Sequence, residues 1–126
     1  MALRRAWVFL SGPISNGETV TGRAREENIE RATLIAESLE EIGFRVYCPH
    51  RELRPFAQAG KPYRWLMKEC LRALTKVEAI CMLPGWKESA GAREEHWFVE
   101  LLNRSRRGVN TVRKYYSVED LVRSYE

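Results

Sequence analysis

The chain has 126 residues, of which 44% are hydrophobic and 30% are charged, and its formal net charge is +4. This length suits one domain, and we expect residues 1–126 to form a single one. The composition is that of an ordinary globular protein, and the modest basicity is too weak to indicate a nucleic-acid polymer as a partner.

The amino-terminal stretch MALRRAWVFLSGP superficially resembles a secretion signal, because two arginines precede an apolar run. The run is too short and lacks a small-residue cleavage site, and no run approaches the roughly 18 apolar residues that span a bilayer. We therefore expect a cytoplasmic protein without a membrane partner. The three cysteines show no C-x-x-C spacing and no His/Cys/Asp cluster has ligand spacing, so we expect no metal and no organic cofactor.

Strands and helices are predicted to alternate along the chain. Short apolar runs that stop at Gly or Pro predict strands, and apolar residues at helical spacing predict helices. The predicted strands cover residues 6–10, 44–48, 77–83 and 109–112. The predicted helices cover residues 25–42, 63–74 and 89–104, and a last one follows the cap residue Ser117. Residues 49–62 are predicted to be one long loop, which in a small domain is often functional.

This alternating order predicts an α/β fold: a single doubly wound domain, flavodoxin-like or Rossmann-like, with a parallel sheet of four or five strands. Ligands of such sheets bind beyond the carboxyl ends of the strands, where the strand order reverses. The expected binding segments are therefore Ser11-Gly12-Pro13-Ile14 after the first strand and residues 84–91 after the third.

The loop after the first strand has two interpretations. Its backbone N–H groups, other than that of Pro13, are suited to cradling an oxyanion. A first strand also needs a tight turn at its end in any protein, so Gly12 can be explained without a ligand.

The segment after the third strand carries more chemistry. Ser89 is positioned to cap a helix whose amino terminus suits a phosphate or carboxylate, and Gly91 allows close backbone approach. Glu95 follows one turn later on the same helix face as Phe98 and Leu102. A carboxylate on an apolar face is costly unless it is paired or used. The alternatives are an ion pair with an arginine at the core edge and a catalytic carboxylate.

Four further residues lie near the predicted crevice, and each has two interpretations. His50 follows the second strand and can either hydrogen-bond a base or phosphate or be a surface loop residue. Trp86 can either stack on a base or serve as a packing lid. Arg51 and Arg54 flank the same crevice and can either attract a nucleotide or remain solvated charges.

Together these segments resemble the nucleoside 2-deoxyribosyltransferase-like superfamily, particularly its small bacterial and phage-type members and its 2′-deoxynucleoside 5′-phosphate N-hydrolases. The resemblance covers residues 6–112. It rests on Phe9-Leu10-Ser11-Gly12-Pro13-Ile14, Asn28-x-x-x-Ala32, Val46-Tyr47-Cys48-Pro49, Leu83-Pro84-Gly85-Trp86 and Ser89-x-Gly91-Ala92-x-x-Glu95.

The resemblance implies that Glu95 is a nucleophile that attacks the anomeric carbon and forms a covalent glycosyl-enzyme. Water as acceptor gives hydrolysis of the N-glycosidic bond of (deoxy)nucleoside 5′-monophosphates. Ser89 is implied to lie near the 5′-phosphate, which an aspartate at that position would repel. The implied ligand is a small-molecule nucleotide. Because such proteins often complete each site from a neighbouring subunit, a homodimer or larger assembly is also implied.

One position departs from the family pattern. Cys70 stands where the family usually has an acidic residue that contacts the departing base, and cysteine is a poor acid for a nucleobase. The alternatives are therefore a non-catalytic nucleotide-binding or sensor module on the same fold and a nucleoside deoxyribosyltransferase. Ser89 in place of aspartate disfavours the transferase. A second carboxylate facing the pocket would favour the enzyme over the binding module.

Overall fold

A computed structural model describes residues 6–13 and 22–126. The strands are β1 (Trp7–Ser11), β2 (Arg45–Tyr47), β3 (Ala79–Met82) and β4 (Arg113–Tyr115). The helices are α1 (Gly22–Glu41), α2 (Pro49–Glu52), α3 (Arg54–Gln58), α4 (Tyr63–Leu74), α5 (Ala90–Ser105) and α6 (Val118–Ser124), with a 3-10 turn at Trp86–Glu88. No helix in these ranges is long and apolar enough to cross a membrane.

The four described strands form one parallel sheet in the order β2-β1-β3-β4. The chain winds outward from β1 in one direction to β2 and in the other to β3 and β4, so the strand order reverses beside β1. This confirms the predicted α/β fold with a parallel sheet of four strands. β1 and β3 end side by side, with Ser11 paired to Met82.

Helices cover both faces of this sheet, as the doubly wound prediction requires. Side chains alternate along a strand, so Val8 and Leu10 of β1 share one face and Phe9 lies on the other. Val8 and Leu10 pack in a cluster with α1 and α6, whereas Phe9 packs with α4 and α5. Ser11 lies two residues beyond Phe9, so it too is directed toward the α4/α5 face.

The prediction of a single loop over residues 49–62 is wrong for most of that segment, because α2 and α3 occupy residues 49–58. Pro49 and Pro55 each lie in the first turn of a short helix, where the missing N–H group has no helical partner to lose. The Glu52 carboxylate also accepts a hydrogen bond from the Cys48 N–H at 2.6 Å, which ties α2 to the end of β2.

The predicted fourth strand, residues 109–112, is wrong in position, because β4 covers Arg113–Tyr115. The amide side chain of Asn103 on α5 bonds both backbone groups of Val112, accepting from its N–H at 2.7 Å and donating to its carbonyl at 2.9 Å. The backbone of Val112 is therefore engaged by a helix side chain, and the next three residues pair with β3.

Gly12 is required by the close approach of the loops after β1 and β3. A Cβ atom at this position would lie 2.8 Å from the Cβ of Leu83, which is closer than real contacts allow. The Leu83 N–H donates to the Ser11 carbonyl at 2.7 Å, so Leu83 is held in place by the backbone. Packing alone thus explains this glycine.

We predict that Gly12→Ala lowers the free energy of unfolding by about 1–3 kcal/mol, because the new methyl group overpacks against Leu83. Urea denaturation would measure it. Gly91→Ala is the matched control: its Cβ would meet the movable Tyr63 hydroxyl at 3.4 Å, and a helix favours alanine. Equal stability of the two variants would contradict this account.

Candidate active site

Glu95 is a buried carboxylate held by the end of β1. Its side chain lies one turn into α5 and is only 6% exposed. The Ser11 hydroxyl donates a hydrogen bond to Glu95 Oε1 at 2.6 Å. The two residues meet because Ser11 is directed toward the α4/α5 face and α5 begins soon after β3. Within the described residues, no arginine pairs with Glu95, so the ion-pair interpretation of this residue is wrong there.

Cys70 lies beside Glu95. It is on α4, is 4% exposed, and its thiol is close enough to lower the pKa of the Glu95 carboxyl group. Cys70, which the resemblance placed at the position of an acidic residue that contacts the base, thus adjoins Glu95 and lines the same cavity. The hydrogen bond from Ser11 orients the carboxylate.

Burial dominates the titration of this cluster. It raises the pKa of Glu95 from 4.5 to about 7, against the opposing effect of the Ser11 hydrogen bond and of the neighbouring Cys70 thiol. Burial, together with the neighbouring carboxylate, also raises the pKa of the Cys70 thiol far above its usual range. At neutral pH the thiol is protonated and the carboxylate is poised between its two forms.

A cavity of about 220 Å³ opens beside these residues at the carboxyl ends of the strands. Buried side chains, among them Glu95, Cys70 and Ser89, line its inner part. The segment from α2 to α4 supplies an apolar lining. The apolar residues are Leu53, Ala57, Leu66 and Met67.

The amino terminus of α5 also borders the cavity. The Ser89 hydroxyl accepts a hydrogen bond from the Ala92 N–H at 3.2 Å, which confirms the predicted cap. Ser89 and Gly91 both line the cavity. The helix therefore directs its free amide groups and its dipole toward this space, which suits an anion.

Tyr63 is a lining residue that the sequence reasoning missed. Its hydroxyl lies close to the position a Cβ of Gly91 would take, and burial followed by the nearby charge of Glu94 raises its pKa to about 12. The available signal was helical spacing: Tyr63 is seven residues before Cys70, so both share one face of α4.

His50 is buried, 3% exposed, so its interpretation as a surface loop residue is wrong. Its Nε2 lies 2.8 Å from the carbonyl of Pro13, which requires this nitrogen to donate. Nδ1 is then an acceptor, and it has no partner in the described part of the chain. Burial lowers the pKa of His50, so the ring is neutral. His50 lines the cavity, as a ligand-contacting residue must.

The remaining predicted site residues take different positions. Gly12 lines the cavity, whereas Pro13 contributes the carbonyl that binds His50. Trp86 is not among the described lining residues; its ring lies against that of His96, with centroids 4.7 Å apart. Ile14 lies outside the described residues.

Two arginines lie at the outer part of the cavity. Arg25, which the sequence reasoning did not single out, and Arg54 are both exposed lining residues. Arg54 is also paired with Glu26 at 3.0 Å. Arg51 is instead engaged by Glu40 and is absent from the described lining. Glu95 is the only carboxylate among the described residues that line the cavity.

Residues 6–104 match the model of a protein family described as a domain of unknown function, DUF4406. The chain belongs to the DUF4406 family. No curated protein matches the chain significantly.

The part that matches DUF4406 contains every described residue of the cavity. It extends from β1 to the last turn of α5, so the Ser11–Glu95 hydrogen bond joins its two ends. β4 and α6 follow it in sequence. In the described part of this DUF4406 chain, no group of three His, Cys, Asp or Glu side chains could hold a metal ion.

The raised pKa of Glu95 predicts a pH-dependent stability. The folded state binds more protons than the unfolded state between pH 4.5 and about 7, because the folded pKa is the higher one. The contribution of Glu95 to the free energy of unfolding should therefore fall as pH rises through this window, by on the order of 3 kcal/mol. The lowered pKa of His50 acts in the opposite direction in both the wild type and the variants. Glu95→Gln, which cannot ionise, should lose the contribution of Glu95.

Urea denaturation at pH 5, 6, 7 and 8 measures the effect. Glu37→Gln, an exposed carboxylate on the outer side of α1, is the control and should keep the wild-type dependence. Identical pH profiles for the wild type and Glu95→Gln would contradict the raised pKa.

Proposed function

We propose that this DUF4406 protein hydrolyses the N-glycosidic bond of nucleoside 5′-monophosphates, with Glu95 as the nucleophile. The observation that supports this most is a buried carboxylate without a counter-ion in the described chain, oriented by Ser11 and lining a cavity at the ends of β1 and β3. Burying an ionisable carboxylate at this position costs free energy. Such costly, buried titratable groups with a raised pKa are typical of catalytic sites.

The reaction that fits this carboxylate has two steps. Glu95 attacks the anomeric carbon of the sugar while the bond to the base breaks and its electron pair leaves with the base nitrogen. Water then attacks the same carbon, its oxygen–proton bond breaks and the proton goes to the departed base. The sugar is released with its configuration retained, and the carboxylate is regenerated. The resemblance of the Ser89-to-Glu95 motif to that of nucleoside 2-deoxyribosyltransferase-like proteins supports the same role for Glu95.

A phosphate at the sugar 5′-position fits the charges around the cavity. The capped amino terminus of α5 and the guanidinium groups of Arg25 and Arg54 border the same space. Helix amides and arginine are the groups that proteins most often use for phosphate. Ser89, which is uncharged, adds no repulsion. This arrangement favours nucleotides over nucleosides as substrates.

A panel of ribo- and deoxyribonucleoside 5′-monophosphates and their nucleosides, with free base measured by chromatography, tests the proposal. We expect base release from at least one monophosphate and a loss of at least about a thousandfold in Glu95→Ala, because the nucleophile is absent. Glu94→Gln is the matched control, since Glu94 is adjacent but exposed, and it should stay within a few-fold of the wild type. Activity in Glu95→Ala equal to that of the wild type would refute the role of Glu95.

A specific observation also favours a second candidate, a nucleotide-binding or sensor module. Glu95 has no second carboxylate beside it in the described lining, and a thiol that stays protonated occupies the facing position on α4. The same panel separates the two functions. A nucleotide that raises the melting temperature without releasing any base would support the binding module.

Phosphate recognition gives a separate prediction. Arg25→Ala and Arg54→Ala should each raise KM for a monophosphate by about 10- to 100-fold, the effect of losing one charged hydrogen bond of about 1.5–3 kcal/mol, and should change KM for the nucleoside little. Steady-state kinetics on both substrates measures the difference. Arg23→Ala, on the same helix as Arg25 but outside the described lining, is the control. Equal effects on nucleotide and nucleoside would exclude a phosphate contact.

A further inference from the structure

We propose that the preferred substrates of this site are nucleotides whose base is already a cation, meaning an N-glycosylated pyridinium or an N-alkylated purinium, and not the ordinary neutral bases. This inference rests on the proposed function and specifies its substrate class.

The two kinds of base make different demands on an enzyme. When the bond between the anomeric carbon and a neutral base breaks, the base keeps the electron pair and becomes an anion. This anion must take a proton from a nearby acid. A cationic base receives the same electron pair and leaves as a neutral molecule. Only the first needs a general acid, which typically contributes 10²–10⁴-fold to the rate.

The described part of the cavity holds no such acid at neutral pH. Burial raises the pKa of the Cys70 thiol far above neutrality, and that of the Tyr63 phenol to about 12. His50 is neutral, and its Nε2–H is directed to the Pro13 carbonyl. Glu95 is the only described carboxylate of the lining and is assigned to the attack.

The apolar side chains of the α2–α4 segment suit a flat ring with few hydrogen-bonding demands. Leu53, Ala57, Leu66 and Met67 offer no hydrogen-bond donors from their side chains, and Tyr63 adds an aromatic ring to the same lining. A pyridinium or purinium ring gains cation–π and dispersion contacts from such groups.

Electrostatics in the cavity favour the same substrates. A positive ring beside the Glu95 carboxylate provides the counter-charge that the described protein groups do not. Such a charge lowers the pKa of a carboxyl group, so binding of a cationic base would itself ionise the nucleophile. Arg25 and Arg54 would meanwhile face the 5′-phosphate.

The test compares four ribonucleotides in one assay of base release: nicotinamide mononucleotide, 7-methylguanosine 5′-monophosphate, GMP and AMP. We expect kcat/KM for at least one cationic nucleotide to exceed that for GMP and AMP by about a hundredfold or more. A preference for the first substrate indicates a pyridinium pocket, and a preference for the second a purinium pocket.

Cationic nucleotides also lose their base more readily without an enzyme. A variant of Cys70 separates this intrinsic lability from the effect of the missing acid. Cys70→Asp introduces a carboxyl group beside Glu95, and two carboxylates in one site raise the pKa of one of them, which makes it an acid. We expect kcat/KM for GMP or AMP to rise at least tenfold relative to that for the cationic substrate. Cys70→Ser, which keeps a small neutral donor, should retain the wild-type preference. Circular dichroism establishes whether both variants fold. If Cys70→Asp does not, the wild-type preference is compared with the ratio of the uncatalysed rates of the same nucleotides, and a preference no larger than that ratio would overturn the inference.

The outcomes separate this inference from the proposed function. Comparable or faster release of neutral bases by the wild type would overturn the inference and leave the glycosidase standing. An unchanged preference in a folded Cys70→Asp variant would also overturn it, because the absence of an acid would not set the preference. Failure to release base from any of the four nucleotides or from the deoxyribonucleotides would refute the glycosidase itself.

Discussion

The hydrogen bond between Ser11 and Glu95 is the contact on which the geometry of the site depends. It joins the end of the first strand to the helix that follows the third, across 84 residues of sequence. Its formation requires the β1–β3 register, the alternation that directs Ser11 toward α5, and the absence of a side chain at Gly12. A buried carboxylate without a described counter-ion is tolerated because Ser11 donates to it and because burial, by raising its pKa to about 7, keeps it partly protonated at neutral pH.

Much of the architecture was predictable because it follows from local periodicity. The bounds of α4 were predicted correctly, and Ser89 and Ser117 cap the helices that they were predicted to begin. The burial of Glu95 was also foreseeable, since its spacing from Phe98 and Leu102 placed it on the apolar face of α5. In each case one helix carries all the information that the prediction needs.

The errors arose where tertiary contacts decide the structure. Residues 49–58 contain two prolines, which suggested a loop, yet proline is well tolerated in a first helical turn. The buried state of His50 depends on a carbonyl 37 residues earlier, at Pro13, and the position of β4 depends on the side chain of Asn103. Tyr63 was missed because its role follows from which face of α4 meets the cavity, and that face is defined only once α4 and α5 have packed.

The two hydrogen bonds between the Asn103 side chain and the Val112 backbone determine how the last strand and helix are attached. An amide side chain that binds one N–H and one carbonyl recognises a peptide unit that almost every amino acid possesses. Asn103 is among the last residues of the segment that matches the family, and β4 and α6 come after it. β4 and α6 are thus attached through the side chain of Asn103, which belongs to the segment that matches the family. Because this side chain binds backbone groups, many different residues could occupy position 112. Such a junction permits the terminal elements to diverge in sequence while the cavity at the opposite ends of β1 and β3 keeps its shape.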